Sequence, residues 1–158
     1  MNDISHLIAG LRSPTVKNRC NAAIQMGKSG NLQAIRPLTE ALTDPHPRVR
    51  SEIVQALGRL GDSGAVAGLI ASLDDDDLVV RVAAISALGK IRDHDAVGPL
   101  IRCLSDNEVI IRLGAAEVLG KIGDRHAIGP LKKLRHDPFS EVREAAEKAL
   151  MRLEGSHS

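Results

Sequence analysis

The side chains of this sequence that could carry chemistry are six histidines, two cysteines, a run of aspartates and an evenly spaced series of arginines and aspartates. A metal centre needs His, Cys or carboxylate ligands spaced so that they converge on one point. His6, His46, His94, His126, His136 and His157 follow no HxxxH or HxxE spacing, and no His-Glu dipeptide occurs. Cys20 and Cys103 are widely separated and belong to no CxxC, so they read as reduced thiols. Asp93-His94-Asp95 and Asp124-Arg125-His126 occupy equivalent turns and supply at most an open, partial ligand set. The run Asp74 to Asp77 lacks the alternating ligands and Gly of a calcium loop. It reads as a solvated turn that favours the start of the next helix. No nucleophile elbow, phosphate loop or dinucleotide fingerprint is present. The sequence therefore points to no catalytic residue, no metal and no cofactor, and to a non-enzymatic protein.

The elements that must position any site are periodic. Arg19, Arg50, Arg81, Arg112 and Arg143 recur at a constant spacing of 31 residues, and Leu7, Leu38, Leu69, Leu100 and Leu131 keep the same step. So do Met26, Leu57, Leu88, Leu119 and Leu150, and Gly27, Gly58, Gly89 and Gly120. The units are 6–36, 37–67, 68–98, 99–129 and a shortened 130–153, forming one domain over 1–153 with a polar tail at 154–158. A repeat of this length means a solenoid or a propeller. Val49, Ile53, Ala56, Leu57 and Leu60 fall on one face of an α-helix, and strand alternation is absent, which excludes the propeller. A shorter helix carrying Val66, Leu69, Ile70 and Leu73 completes the unit.

Gly61-Asp62 and Gly123-Asp124, with Gly30-Asn31 as a variant, end the long helix in a left-handed residue and cap the next helix. Arg92-Asp93 departs from this, so that turn is either strained or built differently. Pro37, Pro99 and Pro130 stand within the short helix and either kink it or mark its true start. With one Phe and no Tyr or Trp, the core must be thin and made of Leu, Ile, Val and Ala. Polar Asn18, Gln25 and Ser29 in the first unit, and Lys132 and Arg135 in the last, suit capping units, so both ends read as true ends of the array.

Segments such as ALGRLGDSGAVAGLIASL, ALGKIRDHDAVGPLIRCL and VLGKIGDRHAIGPLKKL resemble the HEAT-like repeat of the phycobiliprotein lyase type. The resemblance covers residues 6 to about 153 and implies an all-α, right-handed α-solenoid of five helix pairs whose concave side is lined by the second helices. It also implies that Asp44, Asp75, Asp106 and Asp137 bond to the arginines six residues on, Arg50, Arg81, Arg112 and Arg143, within a repeat or between neighbours. Ser13 replaces the Asp in the first unit, so Arg19 is expected to be the least well held.

Binding is then the expected function, through side chains that vary along the exposed line of the long helices. Val79, Val82, Ile110 and Leu113 place branched apolar groups where other units carry Lys, Arg, Ser, Cys or Glu. They are expected to form an apolar patch flanked by Arg48, Ser86 and Glu117, with the basic residues Arg59, Lys90 and Lys121 at the helix ends. The expected ligand is a protein or peptide, with a homodimer as a further possibility. Lys28, Arg59, Lys90, Lys121 and Arg152 also form a basic ladder open to a nucleic-acid reading. A net charge of +1 and the missing aromatics argue against it. The remaining alternative is an accessory subunit of a lyase or hydroxylase of this repeat type. No run approaches the roughly 18 apolar residues of a membrane span, and no signal peptide is evident, so a cytoplasmic location without membrane attachment is expected.

Overall fold

The computed structural model describes residues 4–155; residues 1–3, and residues 156–158 of the polar tail with His157, lie outside the described residues. Among the described residues the chain forms ten α-helices joined by 3-10 turns, with no strand. It divides into two compact units, Met1–Ile91 and Arg92–Ser158. The first holds α1 (Ser5–Gly10), α2 (Val16–Lys28), α3 (Ile35–Glu40), α4 (Pro47–Leu60), α5 (Val66–Ala71) and α6 (Leu78–Ile91). The second holds α7 (Val97–Cys103), α8 (Val109–Ile122), α9 (Ile128–Lys133) and α10 (Ser140–Glu154).

Each short helix packs on the long helix that follows it. In the first unit α2 packs on α4 and α4 on α6; in the second α8 packs on α10. The packing surfaces are aliphatic, built of leucine, isoleucine, valine and alanine. Leu38, Leu69, Leu57 and Leu88 are fully buried in the first unit, and Leu100, Leu119 and Leu131 in the second. Helices can come this close because glycine stands at the crossing. A Cβ built on Gly27 would lie 2.7 Å from the Cα of Ala56, and one on Gly120 would lie 2.8 Å from the Cα of Ala149. No carbon atom fits at those distances, so the helix spacing depends on the missing side chain.

The turn chemistry follows the sequence except at one place. Gly61 and Gly123 adopt φ of 70° and 86° and end α4 and α8. The carboxylates of Asp62, Asp93 and Asp124, and the Asn31 amide oxygen, then accept from the backbone N–H two residues on and start a 3-10 turn. Arg92 takes the same left-handed backbone with φ of 57°, so the turn is strained and not rebuilt. The prolines mark helix starts. Pro37, Pro99 and Pro130 are each the third residue of α3, α7 and α9, where an N–H has no intrahelical acceptor to lose. A 3-10 turn runs directly into each of these three short helices.

Two substitutions test this frame by chemical denaturation. Gly120→Ala is expected to destabilise the chain by roughly 1–3 kcal/mol through overpacking against Ala149. Arg92→Gly is expected to stabilise it by about 1 kcal/mol, the lower end of the cost of a left-handed backbone for a residue with a Cβ.

Candidate functional site

The most repeated polar arrangement is an arginine fork. Arg19 donates from Nε to Asp44 Oδ2 at 2.7 Å and from Nη2 to Oδ1 at 3.1 Å, and its Nη1 donates to the carbonyls of Ser13 and Pro14. Arg50 holds Asp75 at 2.8 Å through both nitrogens and donates to the carbonyls of Asp44 and Pro45. Arg112 holds Asp137 at 2.7 and 3.1 Å and donates to the carbonyls of Asp106 and Asn107. Each guanidinium thus fastens the turn of its own repeat by backbone carbonyls and the turn of the next repeat by a carboxylate. Asp44, Asp75 and Asp137, six residues before Arg50, Arg81 and Arg143, each give that arginine a carbonyl oxygen, while their carboxylates are held by Arg19, Arg50 and Arg112. Arg143 keeps the carbonyl half, donating to Asp137 O at 2.7 Å and Pro138 O at 3.1 Å.

This geometry corrects the expectation for Arg19. Its own turn needs to offer only carbonyls, which Ser13 and Pro14 provide, and the carboxylate comes from Asp44. The less satisfied arginine is Arg81, whose Nη1 donates to Asp75 O at 3.0 Å but whose buried Nε has no hydrogen-bond partner among the described residues. Arg112 is the best enclosed, with its side chain 11% exposed and that of Asp137 4%. The ring of Phe139, the single aromatic residue, lies over its guanidinium at 5.9 Å. The fork from Arg50 holds Asp75, and that from Arg112 holds Asp137, below the usual carboxylate range. Burial pushes Asp44 up, but the bonds from Arg19 and the His46 N–H outweigh it and leave it lowered.

Three aspartates of the run are engaged, and the last of them favours the start of the next helix as expected. Asp75 and Asp76 accept from Arg50, and Asp77 accepts from the N–H groups of Val79 and Val80 at the start of α6. Asp124 draws together the two equivalent turns of the second unit: His94 Nδ1 is 3.0 Å from its Oδ2 and His126 Nδ1 is 2.7 Å from its Oδ1. The His126 N–H first, then the two imidazoles, lower Asp124 to about 2. Both rings remain exposed, and among the described residues no three His, Cys, Asp or Glu side chains are arranged to hold a metal ion.

The long helices present the candidate binding residues. In the first unit, Val79 is 64% exposed, Val82 is half-buried, and Arg48, Arg59, Ser86 and Lys90 are exposed. In the second unit, Ile110 is 49% exposed, Leu113 is half-buried, and Glu117 and Lys121 are exposed. Leu113, Glu117 and Lys121 line a groove of about 340 Å³ together with Glu141, Glu144, Ala145, Lys148, Ala149 and Arg152. Glu141 and Glu144 stand where the preceding unit carries Ile110 and Leu113, and Lys148 where it carries Glu117, so a search for apolar contrast passes over them. Their register, 31 residues after Ile110, Leu113 and Glu117, is the signal that locates them. In the first unit a groove of about 350 Å³ is lined by Ile8, Leu11, Arg12, Pro37, Glu40 and Asp44 among others, and Asp44 is already engaged by Arg19.

The profile of the HEAT-repeat family matches residues 4–89 and 66–151. No curated protein matches the chain in sequence. Among solved structures, the chain is similar to the complex of CpcE and CpcF of phycocyanin lyase from Nostoc sp. PCC7120, with a TM-score of 0.84 and 30% identity over 98% of this chain. It spans 66% of that chain, slightly under two thirds. A designed armadillo repeat protein in complex with the peptide (KR)4 shares the fold at a TM-score of 0.74 and 21% identity, over 95% of this chain and 81% of that one. Human deoxyhypusine hydroxylase in complex with glycerol is similar at a TM-score of 0.55 and 18% identity, over 96% and 84%. Two of these three are enzymes or parts of one, and the fold they share with this chain is that of helical-repeat solenoids.

The lowered carboxylates set a pH dependence. Their contribution is complete above the unfolded aspartate value near 3.9 and is lost as pH falls through the lower folded value. Urea unfolding is therefore expected to give a stability independent of pH from 8 to about 5 and falling below about 4. Asp137→Asn is expected to cost roughly 1.5–3 kcal/mol at neutral pH, the range for hydrogen bonds to charged groups, and to lose less on acidification than the parent chain.

Proposed function

The chain belongs to the HEAT-repeat family, and on that premise we propose that it is a non-catalytic scaffold that binds a protein or peptide on the exposed faces of its long helices. The observation that carries the reading is the exposure of Val79 and Ile110 at one register position. The corresponding residues of α2, α4 and α10 are Lys17, Arg48 and Glu141. A scaffold needs no apolar side chain there, and both cost solvation until covered. The likeness to a lyase subunit in complex with a second protein, and to a designed repeat protein in complex with a peptide, supports a macromolecular ligand.

A second reading rests on the same likeness: service as one subunit of a two-protein enzyme complex, as CpcE and CpcF form the complex of phycocyanin lyase. It shares the requirement for a protein interface. The basic ladder has a simpler account than nucleic acid. Lys28, Arg59, Lys90, Lys121 and Arg152 all lie in the last turn of a long helix, where a cation complements the helix dipole.

Val79→Glu and Ile110→Glu test the proposal, because both side chains already face water and neither substitution disturbs the core. With the partner recovered, identified and titrated in purified form, each variant is expected to weaken binding at least tenfold at unchanged helicity and melting temperature. Undiminished binding by both variants contradicts the reading, and a concentration-dependent dimer that both variants abolish assigns the faces to self-association.

A further inference from the structure

We propose that the groove between α8 and α10 receives an extended partner segment bearing a basic residue at one end, an acidic residue about five positions away and an apolar side chain between them. This specifies the ligand for one face of the scaffold and rests on that reading. α8 and α10 are equivalent in the repeat, so Ile110 stands level with Glu141, Leu113 with Glu144, Glu117 with Lys148 and Lys121 with Arg152. One end of the groove is therefore acidic and apolar, the middle carries one charge of each sign, and the far end is basic. Ala145 and Ala149 are buried and small, which lets a ligand backbone come close.

Four of the groove's charges are open. Glu117, Lys121, Glu144 and Lys148 form no ion pair among the described residues, although Glu117 with Lys121 and Glu144 with Lys148 stand at the favourable i, i+4 spacing. Elsewhere in the same unit charges do pair: Lys132 meets Glu154 at 2.9 Å and Arg135 meets Glu147 at 2.6 Å. From Glu141 to Arg152 the helix rises roughly 16 Å, the span of about five extended residues. A ligand Arg or Lys at the acidic end can lay its aliphatic stem on Ile110 and Leu113 while its head meets Glu141 and Glu144. Its acidic residue then meets Lys121 and Lys148. A ligand of a single sign, duplex nucleic acid included, is repelled at one end.

The test is a titration of the isotope-labelled full chain, followed by amide chemical shifts, with three capped hexapeptides. One reads Arg-Ala-Leu-Ala-Ala-Glu, and the others carry Arg at both ends or Glu at both ends. The mixed peptide is expected to shift amides of α8 and α10 around the groove and to half-saturate at a concentration at least fivefold below either companion. In the double variant Glu141→Lys, Glu144→Lys, both exposed positions, the order is expected to change so that the doubly acidic peptide binds best, with helicity unaltered. Equal half-saturation by all three, shifts confined to other surfaces, no shifts at millimolar peptide, or tighter occupancy of the groove by a duplex oligonucleotide would each overturn the proposal. If Val79→Glu and Ile110→Glu abolish binding of the recovered partner while the peptide series is flat, this inference falls and the scaffold reading stands.

Discussion

Everything in this structure depends on how a helix pair too thin to bury itself is held to the next one. Aliphatic layers supply the attraction, but they are slippery, since an apolar face gives little to fix the register of one pair on another. The arginine fork supplies the register. Its Nη1 reads the carbonyls of one turn, and its Nε and Nη2 read both oxygens of the aspartate in the next, so a shift of one residue loses the bidentate fit. The glycine crossings act with it. Gly27 and Gly120 let the long helices approach until only a hydrogen atom fits between them, and that closeness brings the turns within reach of the guanidinium.

Because these frame interactions lie in the turns and along the helix crossings, the outward line of the long helices is relieved of structural duty. Residues there can be apolar, acidic or basic at little cost to folding. Val79 and Ile110 are exposed for this reason, as are Glu117, Lys121, Glu144 and Lys148 along α8 and α10. The near-neutral chain thus carries local contrasts that its net charge conceals: several aspartates are engaged by forks and caps, while Glu117, Lys121, Glu144 and Lys148 form no ion pair among the described residues.

Much of the frame was legible from spacing alone. The period of 31, the alternation of short and long helices and the left-handed glycines required only counting and elementary turn chemistry. The direction of the fork was not legible. Asp44 lies six residues before Arg50 and 25 after Arg19, and sequence cannot say which neighbour receives the carboxylate and which only a carbonyl. The meeting of His94 and His126 on Asp124 was hidden for a similar reason, since it depends on the distance between two turns and not on the residues within either. Phe139 gave no sign of its role because a lone aromatic carries no periodic signal, yet it covers the most enclosed ion pair. For the candidate surface, exposed apolar residues stood out by contrast with their counterparts, whereas the charged wall of the groove required knowing which helices face each other.

The central claim is that the frame is built from the turns and crossings while binding uses the outward faces of the long helices. Hydroxyl-radical footprinting of the chain with and without its recovered partner tests it most directly. Leu32, exposed on the 3-10 turn that precedes α3, serves as the internal reference. The account predicts that Val79, Ile110 and Leu113 become protected on binding while Leu32 is oxidised as before. Protection of Leu32 with Val79, Ile110 and Leu113 left unchanged would contradict it.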